Sequence, residues 1–390
     1  MLNKKINIGI DATSIVDGGG FTHLYEFLDN YNEEMHQSSH NLIIYASKKV
    51  LNRLPNHPKF LKRNFSFLNK TRFNRIFFQI FLFDKLLKSE CDIVFSLTGD
   101  YIGSFRPYLA MSQNMMLYER EFWREIKNIK ERGKFYFNFK RQQKCFKNSE
   151  GIIFLSKYAK EYITESLNIK HKDLSIIHHG ISQRFINKKI KLKSIDKYSI
   201  SNPFRFLYVS TVHVYKKQWN VIEAVSKLRD KGYPVTLTLI GNIIYKPSGK
   251  RLKKVSHKFD PDNKFINHIL RVPHNEIVDQ YFNHDGVIFA STCENMPNIL
   301  LESMGSGKPI ACSNKDPMPE FLKEGGFYFN ANSSSSIFEA LEKLLTSLNE
   351  IKEVSLNNIN ELKNYTWQNT SYKTIKFLET TFIKYHNLEK

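Results

Sequence analysis

The chain has 390 residues and a formal net charge of +20, from 58 basic and 38 acidic residues, and 41% of its residues are hydrophobic. This composition excludes an intrinsically disordered chain and predicts two folded domains. No uninterrupted apolar run reaches the roughly 18 residues that span a bilayer, so any membrane contact is peripheral. The basic excess predicts an anionic partner. Four scattered cysteines and an N-terminus without a signal-peptide pattern predict a cytoplasmic protein.

The N-terminal third predicts a sheet built from β-α repeats. Ile6–Ile10 is a short apolar run typical of a buried parallel strand, and Leu42–Ala46, Asp92–Leu97 and Tyr108–Met111 are similar. The glycine triplet 18–20 follows the first strand and precedes a helical pattern, where backbone amides can approach a phosphate, although such triplets also occur as flexible turns. The segment Phe73–Leu87 is apolar nearly all round at helical spacing, which predicts a buried helix.

The densest mixture of basic and aromatic residues lies at Tyr118–Lys147. Such a mixture suits an anionic membrane surface, where each basic side chain contributes about 1 kcal/mol. It also suits single-stranded nucleic acid, because aromatic side chains stack on bases. An ordinary solvated surface is the third interpretation, and composition alone leaves all three open.

The second half of the chain continues the alternation of strands and helices. Further strands are predicted at Glu150–Ser156, Ser175–Gly180, Phe204–Ser210, Val235–Gly241, Phe265–Val272 and Phe327–Phe329. Residues 187–202 are rich in lysine and serine without an apolar period, and they predict a linker. Lys216 and Lys217 precede a predicted helix, and a lysine there can stabilise the charge on a departing diphosphate. A helical pattern begins at Asn275, and a second one covers Thr366–Glu389.

One segment, Asp285–Asn314, combines two strand-like runs with a helix between them. Glu294 lies on the loop after the first strand, and Glu302 lies on the helix that Pro297 begins. A carboxylate can accept hydrogen bonds from two neighbouring sugar hydroxyls. Two glutamates separated by seven residues also occur by chance on amphipathic helices, but open α/β sheets bind ligands at such strand-to-helix junctions.

The segment FASTCENMPNILLESMGSGKPIACSN resembles the E-x7-E region of retaining glycosyltransferases of family 4, of the bacterial surface-polysaccharide type. The resemblance implies an α/β protein of the GT-B fold, with two Rossmann-like β/α/β domains facing across a cleft. We therefore predict an acceptor-binding domain at residues 1–186, a linker at 187–202 and a nucleotide-sugar-binding domain at 203–368. A C-terminal helix at 369–390 is expected to cross back to the first domain.

The same resemblance implies roles for individual residues. Glu294, which holds the donor hexose, and Lys216 are the catalytic candidates, and Glu302 is expected to hold the ribose hydroxyls. Further donor-binding candidates are Asn295, Met296, Pro297, Asn298, Gly19, Gly20, Thr211, Lys217, Arg271 and Val272, and the acceptor-binding candidates are Asn114 and His23. Many relatives carry an arginine where this chain has Thr211. His213 or Lys217 could replace its charge, and the sequence does not decide between them.

The resemblance thus predicts a hexosyltransferase of class EC 2.4 that needs no metal or other cofactor. The predicted donor is a nucleotide diphosphate sugar, and the predicted acceptor is a lipid-linked glycan of bacterial polysaccharide or O-antigen biosynthesis. This acceptor favours the membrane as the partner of Tyr118–Lys147, at the inner face of the cytoplasmic membrane, and no nucleic acid is expected. Two alternatives stay open: a basic nucleic-acid-binding protein, and another activity of this fold, such as a sugar-nucleotide epimerase.

Overall fold

The computed structural model describes residues 5–36, 39–170, 172–186, 192–273 and 276–388. The chain divides into two compact units. Unit 1 comprises Met1–Tyr118, Lys127–Gly180 and Tyr365–Lys390, and unit 2 comprises Glu119–Ile126 and Ile181–Asn364. The predicted domain limits stay a prediction, and residues 187–191 of the predicted linker lie outside the described residues. The described part of that linker, residues 192–202, belongs to unit 2.

Most strands of the described residues overlap the predicted apolar runs, but the third in chain order was not predicted, because its sequence FLKR is only half apolar. They are β1 Ile6–Asp11, β2 His40–Tyr45, β3 Phe60–Arg63, β4 Ile93–Ser96, β5 Tyr108–Met111, β6 Gly151–Phe154, β7 Asp173–Ile176, β8 Phe204–Val209, β9 Val235–Ile240, β10 Ile266–Ile269, β11 Gly286–Phe289, β12 Ile310–Ser313 and β13 Phe327–Phe329. Residues of β4, β5, β6, β11 and β12 are buried throughout, as expected for parallel strands covered on both faces.

The helices connect these strands and cover the sheets. They are α1 Gly19–Asp29, α2 Lys48–Leu51, α3 Arg72–Phe81, α4 Phe83–Glu90, α5 Arg120–Glu125, α6 Ile129–Asn148, α7 Lys157–Leu167, α8 Gln218–Asp230, α9 Lys246–Phe259, α10 Ile277–Asn283, α11 Asn298–Gly305, α12 Met318–Leu322, α13 Ser334–Thr346, α14 Leu348–Glu361 and α15 Trp367–Leu388. The predicted start of α10 at Asn275 lies outside the described residues. Over the described ranges, no helix has the length and apolarity that crossing a membrane requires.

Unit 1 contains a seven-stranded sheet of order β3-β2-β1-β4-β5-β6-β7, in which all pairs are parallel. The order reverses between β1 and β4, so their carboxyl ends mark the crevice where such sheets bind ligands. The terminal helix α15 packs within this unit, where Ser371 donates a hydrogen bond of 3.0 Å to the Phe27 carbonyl of α1. Gly180, which follows β7, lets the start of α15 lie close to the backbone there, because a Cβ on Gly180 would lie 2.0 Å from the Trp367 backbone nitrogen.

Unit 2 contains a six-stranded parallel sheet of order β10-β9-β8-β11-β12-β13. Its order reverses between β8 and β11, the strand that opens the E-x7-E segment. Gly241, at the carboxyl end of β9, has a φ of +151°, and a Cβ there would lie 2.1 Å from the Ser210 carbonyl oxygen. Only glycine lets β8 and β9 end side by side in this way.

The structure corrects the prediction of one buried helix at Phe73–Leu87. The segment forms two helices, α3 and α4, and α3 exposes much of its apolar surface. Phe73 is 77% exposed and Phe81 65% exposed, whereas Phe78 and Phe83 are fully buried. The prediction failed because an all-round apolar pattern does not tell which side of a helix meets the sheet.

Candidate functional site

The two predicted catalytic residues meet at the switch point of the unit 2 sheet. Lys216 lies on a short 3-10 helix, Val214–Lys216, after β8, and Glu294 lies on the loop after β11. The Lys216 Nζ and the Glu294 Oε1 form an ion pair. The Ser291 hydroxyl donates to the same Glu294 oxygen at 2.6 Å, so two donors fix this carboxylate.

Backbone contacts hold the two loops of this pair against each other. The Tyr208 hydroxyl of β8 donates to the Lys216 carbonyl oxygen at 2.7 Å. The Thr292 amide of the second loop donates to the Tyr215 carbonyl oxygen at 2.8 Å. Lys216 is only 4% exposed. A positive charge is therefore fixed at the edge where a parallel sheet binds ligands.

Glu302 lies on the first turns of α11 and contacts a different element from Glu294. The Tyr281 hydroxyl of α10 donates to its Oε2 at 3.2 Å. Burial of the carboxyl group raises the pKa of Glu302 to about 7, while the Tyr281 hydrogen bond and the nearby Arg184 charge oppose that rise. This carboxyl group changes its charge near neutral pH, and hydroxyl donors from a ligand would favour its ionised form.

The residues between the two glutamates form a largely buried loop. Asn295, Met296 and Pro297 are buried, and Asn298 is half-buried. The Asn298 amide donates to the Met296 carbonyl oxygen at 3.1 Å, so this amide is already engaged. The predicted contact of these residues with a donor sugar stays a prediction.

The structure distinguishes the two residues considered as substitutes for the missing arginine. Thr211 is half-buried, and its carbonyl accepts a hydrogen bond of 3.0 Å from Gln218. Burial, aided by the Lys216 charge, lowers the pKa of His213 to about 4, so its ring is neutral at physiological pH. Lys217 forms an ion pair of 2.6 Å with Glu125 of α5. A second cation for a diphosphate could therefore come from Lys217 only if a ligand replaced Glu125.

The pairing of Lys217 with α5 was not predicted, because 92 residues separate the two partners. In the same cluster, Phe122 of α5 stacks on the His213 ring with 5.5 Å between the ring centroids. His213 also stacks on Tyr245 at 5.1 Å. The remaining unit 2 candidates, Arg271 and Val272, follow β10, and Arg271 is exposed. Their contact with a nucleobase stays a prediction.

The unit 1 candidates follow β1 and β5. Gly19 is exposed at the start of α1 and Gly20 is half-buried, with the Gln113 side chain 3.8 Å from a Cβ placed on Gly20. Asn114 follows β5, and its side-chain oxygen accepts the Met116 amide at 3.0 Å, capping a 3-10 helix. Their predicted ligand contacts are not tested by this geometry.

The acceptor candidate His23 is fully buried in an aromatic cluster of unit 1. Its ring lies 4.7 Å from His179 and 5.6 Å from Trp367, measured between centroids. Burial, together with His179, lowers the pKa of His23 well below its usual value. The structure therefore gives His23 a packing role, and its predicted acceptor contact would require the ring to leave this cluster.

Gly19 offers a test of the predicted phosphate contact that leaves the fold unchanged. A Cβ on Gly19 meets no atom within 4 Å, so Gly19→Ala should keep the unfolding free energy within about 1 kcal/mol. If a diphosphate approaches this backbone, the methyl group should raise the KM for the donor. Gly133→Ala in α6 is the matched control, because it is also exposed with nothing within 4 Å. If both variants had the same KM for the donor, Gly19 would not be part of the donor site.

A buried polar network, which the sequence did not predict, lies at the switch point of the unit 1 sheet. Asp11 ends β1, and the Thr13 hydroxyl donates to its Oδ1 at 2.6 Å. Gln79 of α3 donates to the Thr13 hydroxyl at 2.6 Å and accepts from Arg141 of α6 at 2.7 Å. Arg141 also lies 3.2 Å from Asp100. Asp11, at the end of the first strand, and Asp100, after the fourth, could have indicated a polar site from the sequence. Nothing in the local sequence indicated that Gln79 of α3 and Arg141 of α6 join them.

We expect Asp11 to make stability depend on pH. Burial and the nearby Asp100 charge raise the pKa of Asp11 from 3.8 to about 7. Because the folded-state pKa is the higher one, the folded state binds more protons between these values. Stability should therefore fall as the pH rises from about 4 to about 7, on the order of 2–4 kcal/mol for such a shift. Asp11→Asn should flatten this slope in urea unfolding, whereas exposed Asp17→Asn should keep it. An unchanged slope in Asp11→Asn would contradict the assignment.

Comparison with known proteins agrees with this geometry. Residues 191–360 match the family model described as glycosyl transferases group 1. The chain contains a glycosyltransferase domain. The matched range includes the Lys216–Glu294 pair and Glu302, and it identifies the chain as a transferase, so the predicted enzyme class is confirmed. No curated protein matches the sequence.

Solved structures similar to this chain have the GT-B fold. Sucrose-phosphate synthase from Thermosynechococcus elongatus has 12% identity and a TM-score of 0.76, covering 98% of this chain and 100% of its own. Anabaena HepE, solved with UDP and glucose, has 15% identity and a TM-score of 0.72, with coverages of 96% and 100%. A glycosyltransferase from Rickettsia africae has 17% identity and a TM-score of 0.69, with coverages of 97% and 99%. The predicted α/β GT-B fold with two parallel sheets is confirmed.

Proposed function

We propose that this glycosyltransferase moves a hexose, with retention of configuration, from a nucleotide diphosphate sugar to a lipid-linked glycan. The Lys216–Glu294 pair at the switch point of the unit 2 sheet carries the proposal. It places a cation and a carboxylate, the groups that a diphosphate and a sugar require, at the same point. Anabaena HepE, which shares the fold, was solved with UDP-glucose, and this supports a nucleotide-sugar donor.

In the proposed reaction the bond between the hexose C1 and the diphosphate oxygen breaks, and the oxygen keeps the electron pair. Lys216 stabilises the negative charge that develops on the departing diphosphate. The acceptor hydroxyl oxygen bonds to C1 on the same face, and its proton passes to the departing phosphate. Glu294 orients the hexose through its hydroxyls, and Glu302 holds the ribose.

The proposed chemistry needs no metal, because Lys216 supplies the charge that opposes the diphosphate. The need for a metal is tested directly by adding a chelator to the turnover assay. Full activity in the chelator is the expected result, and loss that Mg²⁺ restores would contradict this part of the proposal.

The proposed biological setting is bacterial surface polysaccharide or O-antigen assembly at the cytoplasmic face of a membrane. Basic side chains of the Tyr118–Lys147 region are exposed on α6, including Lys130, Arg132 and Lys134, which suits a surface of anionic lipids. A lipid-linked acceptor would be presented at that surface.

Thermal-shift measurements with a panel of nucleotide diphosphate sugars test the proposed donor. At a ligand concentration 100 times the Kd, binding stabilises a protein by about 2.7 kcal/mol. For units of this size we expect the Tm to rise by about 5–10 °C. One donor should shift the Tm more than its nucleoside diphosphate alone, because Glu294 adds a contact with the hexose. Equal Tm values with every nucleotide sugar and with none would contradict the proposal.

A further inference from the structure

Helix α3 presents an apolar face away from the core of unit 1. One face of the helix carries four apolar side chains at helical spacing, Phe73, Phe77, Ile80 and Phe81, which are 77%, 40%, 49% and 65% exposed. The opposite side of the helix is buried through Phe78 and Gln79. An amphipathic helix of a soluble core turns its apolar face inward, whereas this helix turns it outward.

The exposed face is held in place by its surroundings. Phe77 lies 4.7 Å from Phe81 and 5.7 Å from Phe67, measured between ring centroids, so the rings form one cluster. On the other side, the Arg75 Nε donates to the Leu68 carbonyl oxygen at 3.0 Å. The face is therefore built into unit 1 rather than carried by a loose segment.

Helix α6 contacts α3 and carries a high density of positive charge. The Arg72 guanidinium donates to the Asn138 side-chain oxygen. Residues 127–147 contain eight basic residues and one acidic residue, Glu131. The exposed basic residues are Lys127, Lys130, Arg132, Lys134, Lys140, Lys144 and Lys147, and exposed Ile129, Tyr136 and Phe137 lie among them.

The chemistry of this surface selects an anionic membrane among three occupants. A second copy of the chain would bring two strongly basic surfaces together in a symmetric contact, and like charges oppose that. Single-stranded nucleic acid could stack bases on exposed rings such as Phe73 and Tyr136. It would leave the exposed aliphatic side chains of Ile80 and Ile129 in water, whereas a bilayer would cover both kinds of side chain. An apolar helix face bordered by Lys and Arg is typical of helices that lie in the plane of a membrane interface.

We propose that α3, the first part of α6 and the residues next to them form a membrane-docking face, defined as residues 72–82 and 127–140. Phe73, Phe77 and Phe81 enter the boundary between headgroups and acyl chains, and the basic side chains of α6 contact lipid phosphates. This deepens the membrane association proposed above, and it rests on the proposed function only for its purpose, the presentation of a lipid-linked acceptor. The docking face does not include α5, because α5 belongs to unit 2 and its Phe122 is only 2% exposed.

Vesicle flotation tests the docking face with phosphatidylcholine vesicles prepared with and without phosphatidylglycerol. The full chain should bind the anionic vesicles, and binding should weaken as salt is added. The triple variant Phe73→Ser/Phe77→Ser/Phe81→Ser should bind at least about 30-fold more weakly. It lacks the three rings whose transfer from water into the apolar part of the bilayer favours binding. The variant Lys130→Glu/Arg132→Glu/Lys134→Glu should lose the preference for phosphatidylglycerol.

The matched control is Ile200→Ser/Leu356→Ser, which removes two apolar side chains, 84% and 57% exposed, from unit 2. It should bind vesicles as the wild type does. Equal binding by the triple phenylalanine variant would overturn the proposal. A concentration-dependent dimer in light scattering that the same variant abolishes would also overturn it, in favour of a second copy. So would an oligonucleotide that binds more tightly than the vesicles.

Release of nucleoside diphosphate from the donor, with a detergent-solubilised bacterial lipid extract as the source of acceptor and without vesicles, separates this inference from the proposed function. The triple variant should release it at the wild-type rate, because the docking face lies outside the proposed donor site. If the wild type binds anionic vesicles but turns over no donor, the proposed function fails and the docking face stands. If it turns over donor but ignores the vesicles, the docking face is wrong.

Discussion

Replacing Lys216 by Ala should lower kcat for release of the nucleoside diphosphate by about 10²–10³-fold. The buried ammonium group is fixed before the reaction by its ion pair with Glu294 and by the anchored turn on which it lies. Its attraction to the diphosphate grows as negative charge develops there, so its removal acts mainly on the transition state. Steady-state kinetics with a saturating donor measure this change, and the donor KM should change much less than kcat.

Two variants separate the charge of Lys216 from its packing. Lys216→Arg keeps the positive charge and should recover part of the lost kcat. Lys323→Ala removes an exposed lysine of unit 2 that pairs with Glu361 at 2.6 Å, and it should leave kcat unchanged. If Lys216→Ala kept the wild-type kcat and Tm, Lys216 would have no role in the proposed reaction.

Replacing Glu302 by Gln should raise the donor KM about 10–100-fold and change kcat little. A carboxylate that accepts hydrogen bonds from ribose hydroxyls makes charge-assisted bonds, worth about 1.5–3 kcal/mol. Ribose is not the reacting group, so this contact contributes similarly before and during the reaction. Initial rates over a range of donor concentrations measure the change, and Glu302→Ala should act in the same direction.

The pH dependence of the donor KM identifies Glu302 more specifically. Its pKa is raised to about 7 by burial, and only the ionised form makes charge-assisted hydrogen bonds with two hydroxyl donors. The wild-type KM should therefore fall as the pH rises towards about 7 and level off above it, while Glu302→Gln should show no such change. Glu339→Gln, at an exposed position of α13, should behave as the wild type. A pH-dependent KM that persists in Glu302→Gln would assign the titration to another group.

Most of the strands and the E-x7-E segment could be predicted from the sequence because buried parallel strands are continuous apolar runs. The segment from Gly286 to Ser313 forms a strand, a helix and a strand as predicted. Helix α9 was not predicted, because the buried residues among its 14 are Leu252 and the two small residues Ser248 and Gly249. A short buried face and a strongly basic exposed face give little apolar periodicity.

Contacts between distant residues could not be predicted. Lys217 and Glu125 are 92 residues apart, and nothing in either local sequence indicates that α5 joins unit 2. The same holds for Tyr281 and Glu302, whose hydrogen bond depends on how α10 and α11 pack. The exposure of α3 was predicted wrongly for a related reason: the apolar residues were visible, but the side that the sheet covers depends on long-range packing.

Transfer of the sugar itself tests the account most directly. The chain is incubated with the donor that raises its Tm most and with a bacterial lipid extract, and the nucleoside diphosphate and the glycosylated lipid are quantified. We predict equal amounts of both products, the same anomeric configuration in donor and product by NMR, and little turnover by Lys216→Ala. Consumption of donor without a glycosylated product, or a product of inverted configuration, would contradict the proposed retaining transfer.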